Sequence, residues 1–368
     1  MLSESHPLLR NFIRFLLLPY CFFKLVNWKQ CTASRLKVAF DLLDLFFRYR
    51  CYPDHYSPCR FWEKSRDEWV LFYGSSYNPF QREKLRKVVQ PFDGQLLFQD
   101  KNKCEEYFKN KGITMPACFG SIKPHENFKK KLNDCFAVEH RDRLILKPLF
   151  GSAGRGILLA VKKGNTITVK GKSGMYPAVD ISIEEEYLVQ EVISQHATVA
   201  TLSPASVNTV RTVPLLTADN NVIILSASMR FGVGDSFIDN WSVGGVGVGV
   251  DCTNGTLMKY AYDKKGNRYT HHPVTAIRFE GFSIPFWEEI CELTRKTQLV
   301  SPFYRLIGLD VAVTPNGPVA IEINANPDII FQEQTGGPLF ANSTNLKEFA
   351  RYDLLYNKRQ KQLLSKMT

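Results

Sequence analysis

The sequence predicts a folded α+β protein in which helices come first and strands dominate the second half. Apolar residues recur at helical spacing from about residue 32 to residue 50. After Arg143 the pattern changes to short apolar runs bounded by turn residues, which is typical of strands. The chain has 368 residues, of which 44% are hydrophobic and 23% charged. This composition excludes a disordered or fibrous protein, and the length suggests two or three lobes.

Changes in the pattern divide the chain into four segments. They are a helical N-terminal extension (1–65), a small α/β lobe (66–140), a main domain (141–340, with a glycine-loop subdomain over 141–190 and a second subdomain over 191–340) and a basic helical tail (341–368).

The extension contains a strongly apolar stretch, residues 12–26, which Arg14, Pro19 and Lys24 interrupt. The stretch is shorter than the about 20 apolar residues that a membrane-spanning helix needs, and no signal-peptide cleavage site follows it. We expect a helix docked on the protein's own core. A helix lying on an anionic membrane, with nearby basic residues at the headgroups, is the alternative.

In the small lobe, the apolar runs WVLFYG (69–74) and QLLFQ (95–99) predict strands, with a helix-like segment at 81–89 between them. Residues 100–112 predict a helix that ends at Gly112. Further strands are predicted at 144–147, 157–163, 166–170, 187–192, 209–216, 222–232, 308–314 and 319–326.

Charge and cysteine content limit the function classes. The 47 Lys and Arg outnumber the 36 Asp and Glu, which gives a net charge of +11. This excess indicates an anionic partner: a phosphorylated ligand, an anionic membrane or nucleic acid. Nucleic acid is the least favoured of the three, because no recognised nucleic-acid-binding module occurs. The nine cysteines are scattered without C-x-x-C pairs, as expected of reduced thiols in a cytoplasmic protein.

A glycine-rich segment follows the strand predicted at 144–147. Lys147 is followed by Gly151, Ser152, Gly154 and Gly156. Glycines let backbone N–H groups approach an anion, and strands on both sides make the segment a flap that closes over phosphates, with Lys147 as a fixed cation. The segment lacks the G-K-[ST] ending of a P-loop. The alternative is an ordinary hairpin loop with an exposed lysine.

The strand pair 308–314 and 319–326 carries three polar side chains among apolar neighbours. A three-residue loop at 315–317 would place Asp310 across from Glu322, with Asn324 on the same face. Such oxygen donors suit Mg²⁺. A two-residue loop would instead put Asp310 on the opposite face, so the site depends on this register. The alternative is a hairpin whose polar residues face solvent.

Two arginines and two neighbouring motifs add to these signals. Arg211 and Arg230 lie in apolar strands, where each needs a carboxylate or phosphate partner; a structural salt bridge explains them equally well. The glycine-dense stretch after Asn240 is suited to a close backbone approach to a ligand or to a tight connection. Glu191, at a strand end, is placed either to accept hydrogen bonds from a ribose or to face solvent.

Taken in chain order, these motifs resemble the ATP-grasp superfamily. The motifs are K-P-x-x-G-S-x-G-x-G, Q-E-V-I, N-T-V-R, D-N-W-x-x-G-G and G-L-D-V-x-V-T-x-x-G-P-V-x-I-E-I-N-A-N-P-D. The combination of Gln190-Glu191, Gln195-His196, Asn208-Thr209-x-Arg211 and Asp239-Asn240 is similar to the sugar-transfer-associated ATP-grasp family, which is related to α-L-glutamate ligase-like proteins. The resemblance covers roughly residues 95 to 340.

The resemblance implies an ATP-grasp fold in which two α+β lobes hold Mg·ATP between them. It implies phosphate contacts from Lys147 and from Lys101 or Lys103, helped by Gly151, Ser152, Gly154 and Gly156. It also places Gln190 and Glu191 along the adenine and ribose, and Asp310, Glu322 and Asn324 on the magnesium. Arg211, Arg230 and Asn240 are the implied catalytic residues, and the arginines would steady the γ-phosphate or an acyl-phosphate.

The implied activity is that of an Mg-dependent, ADP-forming carboxylate ligase. Such an enzyme activates a small-molecule or saccharide-linked carboxylate as an acyl-phosphate, which an amine or another nucleophile then attacks. The family resemblance suggests polysaccharide or cell-envelope biosynthesis as the context. Two alternatives stay open: a kinase that phosphorylates a sugar or glycolipid, and a non-catalytic ATP-binding partner of a polysaccharide assembly at the membrane.

Overall fold

The computed structural model describes residues 6–74, 85, 87–139, 141–151, 154–171, 174–234, 244–355 and 357–367. Its main helices are α1 (Pro7–Leu16), α2 (Arg35–Phe47), α3 (Arg66–Trp69), α4 (Phe92–Gln99), α5 (Lys101–Asn110), α6 (Phe128–Glu139), α7 (Ala197–Leu202), α8 (Trp287–Leu299), α9 (Ile329–Gly336), α10 (Ser343–Arg351) and α11 (Lys358–Met367). Two antiparallel sheets accompany these helices, so the predicted α+β class is confirmed.

The first sheet has six strands in the spatial order β1-β6-β2-β3-β4-β5. They are β1 (Cys118–Ile122), β2 (Arg143–Pro148), β3 (Leu158–Lys163), β4 (Thr166–Gly171), β5 (Gly174–Pro177) and β6 (Tyr187–Glu191). Phe128, Leu132 and Phe136 of α6 pack on Leu144 and Leu146 of β2 in one core. The sheet that carries the glycine loop therefore begins with β1, upstream of the boundary at residue 141 that the sequence suggests.

The second sheet has seven strands in the order β11-β10-β9-β8-β7-β12-β13. They are β7 (Thr209–Leu216), β8 (Val222–Phe231), β9 (Val246–Val250), β10 (Leu257–Tyr262), β11 (Arg268–Tyr269), β12 (Gly308–Thr314) and β13 (Gly317–Asn324). All eight residues of β7 are buried, because helices cover both faces of the sheet. Thr212 contacts Thr294 of α8 on one face, and Ser228 contacts Gln332 of α9 on the other.

Glycines in β9 let α9 lie close to the sheet. A Cβ on Gly247 would overlap the Phe331 ring, 2.6 Å from its Cζ, and one on Gly249 would stand 2.5 Å from the Thr335 carbonyl oxygen. The glycine-dense stretch after Asn240 therefore serves helix packing at these two positions. Residues 235–243, which include Asn240, lie outside the described residues.

The N-terminal extension has its own aromatic core, in which Tyr56, Phe61 and Trp69 pack together. The buried carboxylate of Asp41 accepts hydrogen bonds from Tyr56 and Arg66, each at 2.8 Å. Only part of the apolar stretch predicted to dock does so: Leu18, Cys21 and Val26 are buried, whereas most side chains of α1 are exposed. Across the described ranges, no helix combines the length and apolar character needed to cross a membrane.

Two strands predicted in the small lobe are wrong. Residues 66–69 form α3, which a capping box of Ser65 and Glu68 starts, and residues 70–74 form a turn and irregular backbone. Residues 95–99 lie in α4, where Gly94 packs against Phe303 and Tyr304. A short apolar run does not by itself distinguish a strand from a helix. The helix-like segment 81–89 falls largely outside the described residues; 85, 87 and 88 are helical.

Candidate active site

A cleft of about 700 Å³ lies between the two sheets. It is lined by the glycine loop after β2, by α5 and the end of α4, and by β7, β8, β12 and β13 of the second sheet. This volume is within the usual range for small-molecule sites. Nine charged side chains line it: Lys101, Lys147, Arg155, Arg211, Arg230, Glu105, Asp310, Glu322 and Asp328.

Arg211, Asp310 and Glu322 form a row across three neighbouring strands. Asp310 of β12 pairs directly with Arg211 of β7 on one side and with Glu322 of β13 on the other. The Arg211 guanidinium donates to both oxygens of Asp310, through Nε and, at 2.7 Å, through Nη2. Arg230 Nη2 lies 2.8 Å from Oδ2 of the same carboxylate. Asp310 therefore holds both arginines at the cleft.

Charge pairing dominates the protonation state of this row. Burial by itself raises the pKa of Asp310, but the adjacent Arg211 and Arg230 overcome that effect and lower it to about 2. Asp310 is only 1% exposed, so its charge is compensated by the protein rather than by water. The carboxylate is thus ionised throughout the physiological pH range.

The pairing of Asp310 with Glu322 is present, but the turn that the sequence analysis expected to produce it is not. Thr314 pairs with Gly317, so the turn has two residues, and the predicted three-residue loop is wrong. A β-bulge between Asp310 and Val311 leaves Ile321 as an extra residue on β13 and restores the pairing of Asp310 with Glu322. Without the bulge, Ile321 would stand opposite Asp310. The expected pairing is therefore present, for a reason that turn length alone does not reveal.

The bulge also connects the two sheets. The backbone carbonyl of Ile321 accepts a hydrogen bond from Nζ of Lys147, at 3.3 Å. Lys147 extends from β2 of the first sheet, so its ammonium group bridges the cleft near Glu322. In a regular pair of strands the Ile321 carbonyl could be used for strand pairing. At the bulge it is instead available to Lys147.

The structure separates the two lysines that the sequence leaves as alternatives. Lys101 lines the cleft, and its Nζ donates to the carbonyls of Pro148 and Gly151, both at 2.9 Å. Burial lowers the pKa of Lys101, an effect that the charge of Glu322 partly offsets. The Lys103 side chain is 75% exposed, lies 3.8 Å from Asp100 and does not line the cleft.

Helix α5 contributes a residue that the sequence reasoning missed. Lys101 and Glu105 are one turn apart on the face that lines the cleft, and this i, i+4 spacing was the available signal. The buried Glu105 carboxylate accepts from Nε2 of Gln190, at 2.6 and 2.7 Å. Burial raises the pKa of Glu105, although Lys147 and Lys109 oppose the shift.

Gln190 and Glu191 lie next to the cleft rather than in its lining. The Gln190 side chain is fully buried, and its amide Oε1 has no hydrogen-bond partner within the described part of the chain. Glu191 accepts from the Ala117 backbone N–H at 2.7 Å and from Arg141 at 3.1 Å. These contacts fix the β1-β6 edge.

The predicted glycine residues divide into two groups. Gly151 and Gly154 line the cleft, whereas Gly156 packs against Pro148 and Tyr187, where a Cβ would stand 2.7 Å from Pro148 Cγ. Ser152 lies outside the described residues.

Beyond β13, the segment leading into α9 supplies further polar groups. Asn324 Nδ2 faces Asp310 Oδ2 at 3.5 Å, an orientation that leaves its amide oxygen available. Asp328 caps α9 by accepting from the Phe331 backbone N–H at 3.2 Å, and its burial raises the pKa of its carboxyl group. Asp328 ends the last of the sequence motifs, and the family resemblance assigns it no role.

The oxygen donors that could hold a metal ion in the cleft are a carboxylate and an amide. The described residues include no group of three or more His, Cys, Asp and Glu side chains placed to hold a metal ion. Within the same residues, Glu322 makes no hydrogen bond or ion pair, so its carboxylate oxygens are open to the cleft. Glu322 and the Asn324 amide oxygen fit a cation such as Mg²⁺, which keeps several water or phosphate ligands of its own.

A cleft between two antiparallel sheets, with lysines on the glycine-loop side and acidic residues on the other, is what the ATP-grasp resemblance led us to expect. The family model for sugar-transfer-associated ATP-grasp proteins matches residues 81–348, well over half of the chain. This chain belongs to that family.

Several solved ligase structures show similarity at low identity. The D-Ala:D-Ser ligase VanG from Enterococcus faecalis is 15% identical, with a TM-score of 0.43 and coverage of 71% of this chain and 62% of that chain. The D-alanine-D-alanine ligase from Coxiella burnetii is 10% identical, with a TM-score of 0.41 and coverage of 80% of this chain and 70% of that chain. The ATP-grasp ligase PsnB, complexed with minimal precursor, Mg and ADP, is 13% identical, with a TM-score of 0.40 and coverage of 72% of this chain and 62% of that chain. The chain thus spans less than two thirds of VanG. No curated protein matches this sequence.

Proposed function

We propose that this protein is an Mg-dependent, ADP-forming ligase that activates a carboxylate with ATP. The observation that carries the proposal is the convergence of five cationic side chains and four acidic ones, from both sheets and α5, on one cleft. Cations neutralise a polyphosphate, and acidic groups beside them suit a bound divalent cation. Membership of an ATP-grasp family supports the same assignment.

In this proposal Lys101 and Lys147 bind the nucleotide phosphates beside Gly151 and Gly154. Lys101 is held by two loop carbonyls and Lys147 by the Ile321 carbonyl, so both ammonium groups are positioned before a ligand arrives. Preorganised charges cost little reorganisation on binding. Gln190 and Glu191 shape the edge next to the adenine and ribose through their contacts with Glu105 and Ala117.

Magnesium would be held by Glu322 and the Asn324 amide oxygen, with Asp310 as a further donor. Both carboxylate oxygens of Asp310 already accept hydrogen bonds from arginines, so Asp310 would coordinate the ion through the remaining lone pairs of these oxygens. When bound, the ion neutralises phosphate charge and orients the terminal phosphoryl group.

The reaction requires charge stabilisation more than a protein nucleophile. An oxygen of the substrate carboxylate bonds to the γ-phosphorus and ADP leaves; a nucleophile then bonds to the carbonyl carbon and phosphate leaves. Arg211 and Arg230 stabilise the negative charge at the transferred group, because Asp310 fixes both guanidinium groups at the cleft. Asn240 is proposed as a further catalytic residue. The family's description favours a saccharide-linked carboxylate in polysaccharide or cell-envelope synthesis.

The test compares ATP cleavage by the wild type, Glu322→Gln and the matched control Glu289→Gln, which changes an exposed glutamate on α8. With a panel of carboxylates, Mg²⁺ and candidate amines, we expect ADP and phosphate, with turnover reduced by at least about 100-fold in Glu322→Gln only. Product analysis separates the candidates: an amide or ester supports the ligase, and a phosphorylated acceptor supports a kinase. Unchanged turnover in Glu322→Gln would show that the metal assignment is wrong.

A further inference from the structure

The N-terminal extension exposes large apolar side chains on a helix that also has an apolar buried face. On α2, Leu36, Phe40, Leu43 and Phe47 recur at helical spacing and are 69%, 61%, 40% and 63% exposed. The opposite face of the same helix buries Val38, Leu42 and Leu45. A helix that packs in this way normally presents polar residues to water, so this exposed stripe requires an explanation.

Helix α1 extends the stripe into a continuous surface. Leu8 and Phe12 are 85% and 58% exposed, and Leu16 is exposed one turn further on. The Phe15 ring lies 5.9 Å from the Phe46 ring and 5.7 Å from the Phe47 ring, so α1 and α2 are in contact at this point. We call the exposed apolar side chains of residues 8–23 and 36–47 the apolar face.

The segment that carries the apolar face has a strong excess of positive charge. Residues 6–50 contain eight Lys and Arg against two Asp, a net charge of +6 within a total of +11. Both aspartates form ion pairs with basic residues of this region, Asp41 with Lys37 and Asp44 with Arg48. Lys24 and Lys29 are also exposed here. Protein interfaces are depleted of lysine at their core, whereas apolar helices flanked by Lys and Arg are characteristic of anionic lipid surfaces.

We propose that the apolar face binds an anionic lipid bilayer and lies in its interfacial layer. Leu and Phe side chains would enter the acyl-chain boundary while the flanking cations contact the headgroups. The extension is fixed to the rest of the protein: Asn27 donates to the Lys265 carbonyl at 2.7 Å, and Arg359 donates to the Tyr49 hydroxyl at 3.0 Å. Binding would therefore hold the whole protein at the membrane in one orientation. This inference does not depend on the proposed reaction.

The test measures binding of the full chain to vesicles. Flotation is compared on phosphatidylcholine alone and on phosphatidylcholine with about 30% phosphatidylglycerol. We expect wild type to bind the anionic vesicles and to bind less when salt is raised from about 0.1 to about 0.5 M. Phe40→Ser/Phe47→Ser should weaken binding at least tenfold, and Lys24→Glu/Lys29→Glu should weaken it on anionic vesicles.

Matched controls keep the result interpretable. Val179→Ser/Val274→Ser changes two side chains that are 69% and 61% exposed but lie outside the apolar face, and it should bind as wild type does. Because all substituted residues are exposed, the variants should keep the wild-type thermal midpoint. If wild type does not float with anionic vesicles, or if the Phe40→Ser/Phe47→Ser variant floats equally well, the proposal is wrong. A wild-type dimer that this variant dissociates, without vesicle binding, would assign the face to a second copy instead.

Discussion

At the residue scale, two lysines of α5 that are two positions apart show how helix geometry selects one side chain for a site. Lys101 and Lys103 follow Asp100, which caps the helix by accepting from the Lys103 backbone N–H at 3.1 Å. Two residues along a helix turn a side chain through roughly 200°, so only one of the pair points into the cleft. Lys101 occupies that direction and anchors the glycine loop, whereas Lys103 faces solvent.

We therefore expect Lys101→Met to weaken Mg·ATP binding by at least about tenfold, since a charge-assisted hydrogen bond contributes roughly 1.5–3 kcal/mol. Lys103→Met, which changes an exposed lysine of the same helix, is the control and should bind almost as wild type does. Isothermal titration calorimetry measures both constants, and thermal denaturation verifies that both variants fold. Equal losses in the two variants would contradict the assignment of Lys101.

At the element scale, eight strands of the second half were predicted, whereas strands β1, β5, β9, β10 and β11 and the bulge in β13 were not. The predicted strands of the second half are confirmed as β2, β3, β4, β6, β7, β8, β12 and β13, because alternating or continuous apolar residues match their buried faces. The bulge at Ile321 was not predictable, since it depends on the pairing of β13 with its neighbour and on Lys147 from the other sheet. The local sequence is compatible with either register.

Site residues on strands were likewise easier to predict than a site residue on a helix. Asp310, Glu322 and Arg211 were recognisable because polar residues stand among apolar ones on strands. Glu105 was not recognised: its i, i+4 spacing from Lys101 was a signal, but the helix carries many other polar residues, and tertiary contacts determine which of its faces is buried. The strands expected at 69–74 and 95–99 are wrong for a related reason: a short apolar run can also form an irregular buried segment, as at 70–74, or part of a helix, as in α4.

Helix α9 carries a buried carboxylate whose charge affects folding stability. The backbone N–H groups of Tyr73, Gly74 and Leu339 donate to Glu333 at 2.7, 3.0 and 3.1 Å. The first two of these hydrogen bonds connect α9 to residues 73–74, which follow α3. Burial nevertheless raises the pKa of Glu333 from its ordinary 4.5 to about 7, although these N–H donors oppose the shift. Between these two values the folded state binds more protons than the unfolded state.

The stability contribution of Glu333 should therefore fall as the pH rises from about 4.5 to about 7. Relative to Glu333→Gln, the wild type should lose up to about 3 kcal/mol of unfolding free energy across this window. Urea denaturation at a series of pH values measures the difference, with the exposed Glu289→Gln as control. Parallel stability curves for wild type and Glu333→Gln would show that the carboxyl group does not titrate there.

At the scale of the whole molecule, the charge balance has at least two components. More than half of the net +11 belongs to residues 6–50, around the apolar face. The cleft has five basic and four acidic side chains, so its excess of one is small although its local fields are strong. The overall positive charge therefore arises more from the surface of the extension than from the cleft. The proposed nucleotide binding in the cleft relies instead on the placement of opposite charges.

The two sheets meet at the cleft, and a ligand that contacts both should stabilise their arrangement. Lys147 and the glycine loop belong to the first sheet, whereas Arg211 and Glu322 belong to the second, so Mg·nucleotide would add contacts across the interface. At a concentration 100 times the dissociation constant, a ligand specific for the folded state adds about 2.7 kcal/mol. For a chain of this size, that corresponds to an increase of a few degrees in the thermal midpoint.

Differential scanning fluorimetry with Mg²⁺ and a non-hydrolysable ATP analogue tests this expectation. The shift in the thermal midpoint should be largest when both components are present. In Glu322→Gln the part of the shift that depends on Mg²⁺ should shrink, while the smaller shift produced by the nucleotide alone should stay as in the wild type. This pattern follows from the proposed roles, in which Glu322 holds the metal and Lys101 and Lys147 contact the phosphates directly. A full shift with Mg²⁺ alone, or none with the analogue, would contradict a nucleotide bound between the sheets.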